Sequence, residues 1–329
     1  MITCHQSIHK LLILTLLVSA CNTTDPEFTI PVLPQRIEFS ANRQYPEGIA
    51  YSPTLDLFLI SSITQGKIGT VDQMGRYADL ITDDKQLISS IGMKVRGSLL
   101  YVCNGDQGVS DKSTEHTALK TAGLFIYDLS TKQNVRRVNL AALLPNENHF
   151  ANDIAFDAAG SAYVTDSYAP VVYKIPADTA QSVTIINSPL FAGVEGINLN
   201  GIVYHPDNYL IVVKSNEGKL FKIDLANTNT ITEITGVNLP GGDGMLVYNN
   251  DLYVVNGRNQ VSQIRSSDGW KTASLVKVDT VGYEDATTNV LVNDKVYTLN
   301  ARIGEVSAAA TAKDPSQLQA SGYSIQQFK

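Results

Sequence analysis

One motif recurs six times along the 329 residues of this chain: a small or polar pair, a short alternating apolar run, a turn, and a second apolar run. The clearest copies are Glu47–Tyr51 with Leu57–Ile60, Asn152–Phe156 with Ala162–Thr165, Asn200–Tyr204 with Leu210–Val213, and Asp243–Val247 with Leu252–Val255; weaker copies begin at Ile91 and Thr288. The second residues of the pairs lie at 48, 92, 153, 201, 244 and 289, at intervals of 44, 61, 48, 43 and 45 residues. A period of about 40–50 residues built from short strands predicts the blades of a β-propeller.

Further apolar runs supply the outer strands of these blades. Third strands are predicted at Lys67–Val71, Gly123–Tyr127, Val171–Ile175 and Lys219–Ile223, and the long second interval is explained by an insertion at Asp106–Thr121. Ile37–Ser40 and Tyr323–Phe328 are candidates for the strands that complete the last blade. Closure of the ring removes the exposed edges of an open sheet. The prediction is therefore an all-β chain, with one six-bladed propeller of four-stranded antiparallel blades over residues 36–329.

The N-terminus has the layout of an export signal. A weakly basic start precedes the apolar run Leu11–Val18, which is too short to span a membrane as a helix. Val18-Ser19-Ala20-Cys21 resembles a bacterial lipobox, which implies cleavage before Cys21 and acylation of its thiol. We therefore expect a lipoprotein signal peptide at 1–20, a lipidated tether at 21–35, and an exported protein anchored by lipid in the bacterial cell envelope. The alternative is an ordinary secretory signal cut near Ala20.

Composition excludes several classes of protein. The chain is 43% hydrophobic and 17% charged, as expected of a globular domain, and its formal charge of −7 argues against nucleic acid or anionic lipid as the main partner. Three cysteines are too few for a disulfide scaffold, and Cys103 is expected to be a buried, inert thiol. Membrane contact is expected through the lipid anchor only, and the protein is expected to be a monomer.

The first residue of each repeated pair lies just before an innermost strand, where propeller blades converge on their axis. In chain order these residues are Glu47, Ile91, Asn152, Asn200, Asp243 and Thr288. Two carboxylates and two amides would meet at one mouth of the channel, and such oxygens are the ligands that Ca²⁺ prefers. The alternative is that these pairs only form turns. A Zn²⁺ site is not expected, because no histidines lie at ligand spacing and Cys103 is alone.

The motifs also resemble a known family. Pro46-Glu47-Gly48, Asn152-Asp153, Leu199-Asn200-Gly201, Gly242-Asp243-Gly244-Met245 and the strand Ala162–Ser167 resemble gluconolactonases and the senescence marker protein regucalcin, which are six-bladed propeller lactonases. The resemblance implies that Glu47, Asn200 and Asp243 ligate a divalent cation and that Asp243 is also the catalytic base. It implies that Asn152 reaches the same centre through water or substrate, with a catalytic role in holding the substrate in register.

The chain departs from this family at one position. Members that act on sugar lactones often carry Arg two residues before the Asn of the third blade, and this chain has Phe150 there. A less polar ester or another lactone is then expected as substrate, with Phe150 and His149 as candidate substrate-binding residues. His149 is also a second candidate base, although the alternative of a loop histidine that is hydrogen-bonded to the backbone is favoured.

Two functions remain open from the sequence. The first is a metal-dependent lactonase or esterase, in which the cation polarises the carbonyl and a carboxylate takes a proton from water. The second is a non-catalytic ligand-binding or scaffold lipoprotein, in which the cation only holds the blades together. The set of oxygen ligands favours the enzyme, whereas the missing Arg favours the scaffold.

Overall fold

Strands account for most of the regular secondary structure in the residues that the computed structural model describes, which are 33–193 and 196–329. They are β1 (Arg36–Ser40), β2 (Ile49–Ser52), β3 (Leu57–Ile60), β4 (Ile68–Val71), β5 (Tyr77–Ile81), β6 (Ser89–Arg96), β7 (Leu99–Gly105), β8 (Lys120–Asp128), β9 (Asn134–Asn139), β10 (His149–Phe156), β11 (Ala162–Asp166), β12 (Val171–Ile175), β13 (Thr184–Asn187), β14 (Leu199–His205), β15 (Tyr209–Lys214), β16 (Lys219–Asp224), β17 (Ile231–Ile234), β18 (Met245–Tyr248), β19 (Asp251–Asn256), β20 (Gln260–Arg265), β21 (Ser274–Asp279), β22 (Ala286–Val292), β23 (Lys295–Asn300) and β24 (Gly322–Gln327). The helices are α1 (Ile303–Ala312) and two 3₁₀ turns, Ala141–Leu143 and Pro315–Gln317.

Four sheets have four antiparallel strands each. Three of them, β2–β5, β14–β17 and β18–β21, follow the order of the chain. The fourth has the order β22-β23-β24-β1, so the first strand of the described chain pairs with the last. This pairing runs from Arg36 opposite Gln326 to Ser40 opposite Gly322. The predicted closing strands therefore complete one sheet, and the ring is fastened by hydrogen bonds between its two ends.

The remaining strands form one sheet of eight. Its halves, β6–β9 and β10–β13, each have the order of a four-stranded antiparallel sheet. Two parallel residue pairs between β8 and β10 join them, His149 with Lys120 and Phe150 with Thr121. The sequence predicted separate sheets here. They are joined because the insertion between β7 and β8 brings the start of β8 beside the start of β10.

The innermost strands surround a common axis. β2, β6, β10, β14, β18 and β22 each contact the next in this order, and β22 contacts β2. Glycine at the second position of the pair permits this approach: a Cβ on Gly48 would stand 2.1 Å from the carbonyl oxygen of Ile91, and one on Gly244 would stand 2.0 Å from Thr288 Oγ1. The predicted all-β propeller with four-stranded antiparallel sheets is confirmed.

The core lies between neighbouring sheets. Leu59, Met93, Val102 and Tyr127, from the first two sets of strands, are at most 1% exposed and belong to one apolar cluster. Each fully buried side chain of this kind stabilises the fold by about 1.5–3 kcal/mol. The strands are therefore held by side-chain packing between sheets as well as by their ladders.

Cys103 is a free thiol that is fully buried in β7, as the sequence predicted. Burial raises the pKa of this thiol well above its ordinary value, which keeps it protonated. The predicted signal peptide, the acylated Cys21 and most of the tether lie outside the described residues. In the part of the chain that is described, none of the helices is long and apolar enough to cross a membrane.

Candidate metal and substrate site

Four polar side chains from four sets of strands meet in one cavity. Glu47, Asn152, Asn200 and Asp243 all line a cavity of about 320 Å³ at the end of the ring where the innermost strands begin. This end is called the mouth below. Phe150 lines the same cavity and is 4% exposed. The repeat thus brings together the residues whose common offset in the sequence predicted a shared site.

Each of these four side chains has a buried oxygen without a hydrogen-bond partner. The atoms are Glu47 Oε2, Asn152 Oδ1, Asn200 Oδ1 and Asp243 Oδ1. An unsatisfied buried polar group costs about 1–3 kcal/mol, and most such groups in folded proteins are paired. Four such oxygens around one cavity indicate a binding site for a ligand that is coordinated by oxygen atoms.

Hydrogen bonds hold the two asparagines in place. Asn152 Nδ2 donates to Ser167 Oγ at 2.9 Å, and Ser167 Oγ donates to the carbonyl of Leu199 at 2.7 Å. Since the nitrogen of Asn152 is engaged in this way, its oxygen is left for the cavity. Thr165 Oγ1 donates to the backbone oxygen of Asn200 at 2.6 Å, and the nearby Asn200 side chain lowers the pKa of Asp243 against the larger effect of burial.

The backbone of the two acidic residues is held by their own and adjoining strands. The N–H of Glu47 donates to Ser61 Oγ at 2.9 Å, and its carbonyl accepts from Thr287 Oγ1 at 2.8 Å. The N–H of Asp243 donates to the carbonyl of Val255 at 2.8 Å. Both carboxylates are therefore carried on a fixed backbone, which is a condition for a preorganised site.

The electrostatics of the mouth are dominated by buried negative charge. Burial and the charges of Asp243 and Asp153 raise the pKa of Glu47 well above its ordinary value, and the charge of Lys94 opposes this. Burial and the charge of Asp153 also raise the pKa of Asp243. Asp153 itself lies 3.6 Å from Lys94 Nζ. A divalent cation at the mouth would offset the repulsion between these carboxylates.

The donor set fits a hard cation. Two carboxylates and two amide oxygens match the ligand preference of Ca²⁺, which takes 6–8 oxygens and completes its shell with water. Among the described residues, no group of three or more His, Cys, Asp and Glu side chains could hold a metal. The site therefore depends on the amides of Asn152 and Asn200, and the nitrogen and sulfur ligands that Zn²⁺ prefers are not present at the mouth.

His149, a predicted substrate-binding residue, does not line this cavity. Its Nδ1 lies 2.8 Å from Asp166 Oδ2, its Nε2 lies 2.8 Å from the carbonyl oxygen of Leu144, and the residue is 1% exposed. Tyr173 Oη donates to the same Asp166 oxygen at 3.2 Å. Both ring nitrogens are thus engaged within the fold, as in the alternative of a structural histidine.

Several lining residues were missed by the sequence analysis. They are Ile63, Gln107, Ser215, Asn216, Arg258, Ile303 and Ser307. All lie in connections between the second and third strands of a sheet. Because the second strand returns towards the end where the first began, these connections belong to the mouth. The repeat offset could have identified them, since each follows the second apolar run.

Two long connections of this kind cover the mouth. One is the predicted insertion between β7 and β8, and the other carries α1 between β23 and β24. Val109 of the insertion and Val306 of α1 belong to one buried apolar cluster. Tyr45 Oη donates to Glu305 Oε2 at 2.6 Å and fastens the helix to the start of the ring. The helix is therefore a fixed wall of the site.

Comparison with known proteins gives structural likeness only. A scan against protein-family models and a search of curated proteins found no match. Among solved structures, the major allergen Mala s 1 of Malassezia sympodialis has a TM-score of 0.70 at 16% identity, covering 91% of this chain and 97% of the allergen. A gluconolactonase of Xanthomonas campestris has a TM-score of 0.60 at 15% identity, covering 89% of each chain. Virginiamycin B lyase of Staphylococcus aureus has a TM-score of 0.56 at 11% identity, covering 88% of this chain and 98% of the lyase.

These proteins have different activities, and their identities to this chain are low. The likeness covers nearly the whole of each, so it concerns the complete ring. The comparisons therefore establish that this chain has the β-propeller fold that these proteins share.

Proposed function

We propose that this protein is a lactonase or esterase of the propeller lactonase type, which uses a divalent cation, Ca²⁺ by preference, to hydrolyse a small lactone or ester at the mouth. The observation that carries the proposal is the set of four buried oxygens without partners around one cavity. The likeness to the gluconolactonase of Xanthomonas campestris and to a second solved structure of the gluconolactonase type supports the same proposal.

The proposed ring has six blades. The eight-stranded sheet is taken as two blades, because each half has the strand order of the four-stranded sheets and contributes one innermost strand. Six innermost strands place six first positions at the mouth, of which Glu47, Asn152, Asn200 and Asp243 line the cavity.

The four polar residues of the mouth have different roles in the proposed hydrolysis. Glu47, Asn200 and Asp243 would hold the cation, and Asn152 would hold the substrate in register. When bound, the cation polarises the ester carbonyl and stabilises the oxyanion that develops. Asp243 takes a proton from the water whose oxygen attacks the carbonyl carbon. The bond from that carbon to the leaving oxygen breaks, and the proton passes to the leaving oxygen.

The walls of the cavity favour a substrate less polar than a sugar. Phe150 stands where sugar lactonases of the resembled family often carry Arg, and it packs edge-on against Tyr168 at 6.2 Å between ring centroids. An aromatic wall at this place suits an apolar or alkyl part of an ester. The absence of the Arg motivates the second candidate function, a scaffold or ligand-binding propeller in which the cation only stabilises the ring.

A lyase activity is less well supported. Replacement of a histidine inactivates virginiamycin B lyase. In the described part of this chain, no histidine lines the cavity, and the nearest in sequence to a site residue, His149, is engaged by Asp166 and Leu144. Acid–base chemistry at the mouth therefore depends on carboxylates.

The test is hydrolysis of a panel of γ- and δ-lactones and 4-nitrophenyl esters by the protein as purified, after EDTA, and after EDTA followed by Ca²⁺. We expect turnover that EDTA abolishes and Ca²⁺ restores. Glu47→Gln should raise the Ca²⁺ concentration that turnover requires, whereas Glu38→Gln, at a side chain that is 78% exposed, should not. Turnover that is indifferent to EDTA would contradict the cation's role. Ca²⁺ binding without any turnover would favour the scaffold.

The setting of the protein is part of the proposal. We propose an exported lipoprotein, held to the bacterial envelope by the lipid on Cys21 alone, which acts as a monomer on a small molecule and has no nucleic-acid partner. The support is the sequence Val18-Ser19-Ala20-Cys21 and the formal charge of −7.

A further inference from the structure

Arg258 brings a positive charge to the cavity. It lies in the connection between β19 and β20 and lines the cavity together with Glu47 and Asp243. Its charge lowers the pKa of Asp243, although burial and Asp153 outweigh this effect. No Lys or other Arg lines this cavity in the described residues.

The turn that carries Arg258 is fixed on both sides. The N–H of Gly257 donates to the carbonyl of Pro240 at 3.0 Å, and the carbonyl of Arg258 accepts from the N–H of Ala286 at 2.6 Å. Arg258 has φ of +64°, which a residue with a long side chain adopts only at a cost in free energy. The base of the side chain is therefore held in place at the edge of the mouth.

Within the described residues, the guanidinium of Arg258 donates one hydrogen bond. Its Nη2 donates to Ser307 Oγ at 3.2 Å, and Ser307 Oγ donates in turn to the carbonyl of Ile303 at 3.1 Å. Asp285 lies near the same place and accepts from the N–H of Gly304 at 3.3 Å, but within the described chain it forms no ion pair with Arg258. A guanidinium has five N–H donors in a planar fork that matches a carboxylate.

The balance of charges at the mouth favours a ligand with one negative group. A divalent cation balances the charges of Glu47 and Asp243, and Lys94 balances Asp153. Arg258 remains as the one positive charge that lines the cavity among the described residues, because Asp285, which lies near its Nη1, is not part of the lining. The rest of the lining offers apolar side chains for the body of a ligand, namely Ile63, Phe150, Ile197 and Ile303, beside the uncharged polar side chains of Gln107, Ser215, Asn216 and Ser307. A ligand that satisfies both features has an apolar body and a single anionic end.

We propose that Arg258 binds a carboxylate of the substrate, so that the substrate class is an ester or lactone that carries one free carboxylate apart from the bond that is hydrolysed. The inference rests on the proposed function for the identity of that bond. The binding of the carboxylate by Arg258 is a separate property, and it can be measured without turnover.

The test uses two amides that the enzyme cannot turn over as esters, N-(4-nitrophenyl)succinamic acid and the neutral N-(4-nitrophenyl)butyramide. Their affinities are measured by calorimetry with Ca²⁺ present for the wild type, Arg258→Gln, Arg258→Lys and Lys271→Gln. Lys271→Gln is the control. It removes one positive charge from the connection between β20 and β21 of the same sheet, at an exposed position that does not line the cavity. We expect the wild type and Lys271→Gln to prefer the anionic amide by about tenfold, the size of one charge-assisted contact. Arg258→Lys should keep part of this preference, and Arg258→Gln should lose it.

Three results would overturn the inference. The first is equal affinity of the wild type for the two amides, and the second is no binding of the anionic amide. The third is a preference for the anionic amide that survives in Arg258→Gln, which would mean that the cation binds the carboxylate. A parallel assay with 4-nitrophenyl hydrogen succinate and 4-nitrophenyl butyrate separates this inference from the proposed function. Absence of hydrolysis together with the expected binding pattern would reject the hydrolase and keep the carboxylate site.

Discussion

Glu47 and Asp243 face the same buried cavity, and the charge of Asp243 raises the pKa of Glu47 in addition to the effect of burial. Each also has one buried oxygen without a hydrogen-bond partner. The two residues are almost 200 positions apart in the sequence and are brought together only by the closed ring. Two ionised carboxylates held in this way repel each other, and a cation bound between them would offset that repulsion.

Removal of the cation should destabilise the ring. A ligand that binds only the folded state stabilises it by RT ln(1 + [L]/Kd), which is about 2.7 kcal/mol at a hundredfold excess over Kd. We therefore expect EDTA to lower the melting temperature by on the order of 5 °C or more and Ca²⁺ to restore it. Calorimetric melting curves check this. A melting temperature that is unaffected by EDTA and by added Ca²⁺ would mean that the four oxygens bind no metal.

Asp243→Asn should separate the binding of the cation from the transfer of the proton. The variant keeps one ligand oxygen, and Glu47, Asn152 and Asn200 remain, so it should bind Ca²⁺ more weakly without losing it. Its kcat at saturating Ca²⁺ should fall by about 10²-fold or more, the usual size of a lost general base. Isothermal titration with Ca²⁺ and steady-state kinetics on the best ester measure the two effects.

Asn200→Ala is the matched comparison for that variant. It removes a ligand oxygen and leaves the carboxylate of Asp243, so Ca²⁺ affinity should fall while turnover returns at saturating Ca²⁺. Wild-type activity in Asp243→Asn would remove Asp243 as the base. If saturating Ca²⁺ did not restore turnover in Asn200→Ala, Asn200 would have a role in the reaction beyond holding the cation.

Gly201→Ala should disrupt the axis. A Cβ at this position would stand 2.3 Å from the backbone oxygen of Asp243, so the innermost strands would have to separate. We expect a loss of about 1–3 kcal/mol in the free energy of unfolding, the usual cost of overpacking, together with weaker Ca²⁺ binding. Gly322→Ala is the control, because no atom lies within 4 Å of its added Cβ. Equal stability of the two variants in urea unfolding would contradict the close approach.

The His149–Asp166 pair should make stability depend on pH. Burial alone would lower the pKa of His149, but the hydrogen bonds to Asp166 and to the carbonyl of Leu144 outweigh it, so the folded-state pKa is raised above the ordinary 6.5. The stabilisation is then fully present below pH 6.5 and is lost as the pH rises through the folded-state pKa. We expect His149→Asn to cost about 1–3 kcal/mol at pH 6 and less at alkaline pH.

Urea unfolding of the wild type and His149→Asn from pH 5.5 to 9 measures this dependence. His116→Asn serves as the control, because the side chain of His116 is 88% exposed. A constant difference between the wild type and His149→Asn across this range would show that the protonation of His149 does not contribute.

Cys21→Ser should release the protein from membranes. Lipid chains contribute about 0.8 kcal/mol for each buried CH₂, so an acylated Cys21 would hold the mature protein in the membrane fraction and the serine variant would not be held. Fractionation of cells that express each form, with the intact mass of the wild type, checks this. A wild type that carries no added mass and fractionates like the variant would leave only the ordinary secretory signal.

The sequence by itself determined the ring and the position of its oxygens. The period of 43–61 residues, the alternation within each short strand and the pairs that begin each copy are local patterns, and they led to Glu47, Asn152, Asn200 and Asp243 at a common offset. Because every copy folds in the same way, an equal offset in the sequence becomes an equal height along the axis. The closing pairing of β1 with β24 followed from the same argument.

Tertiary structure alone decided what surrounds those oxygens. The contact of Tyr45 with Glu305, the joining of β8 to β10, and the hydrogen bonds of the His149 ring all depend on residues that no repeat relates. Beyond their first few residues, connections between strands vary in length and carry no period, so most of their side chains have no register in the sequence. An alternating apolar pattern predicts that one face of a strand is covered, but it does not predict which loop covers that face. The covering loop is determined only when the ring closes and brings distant connections together.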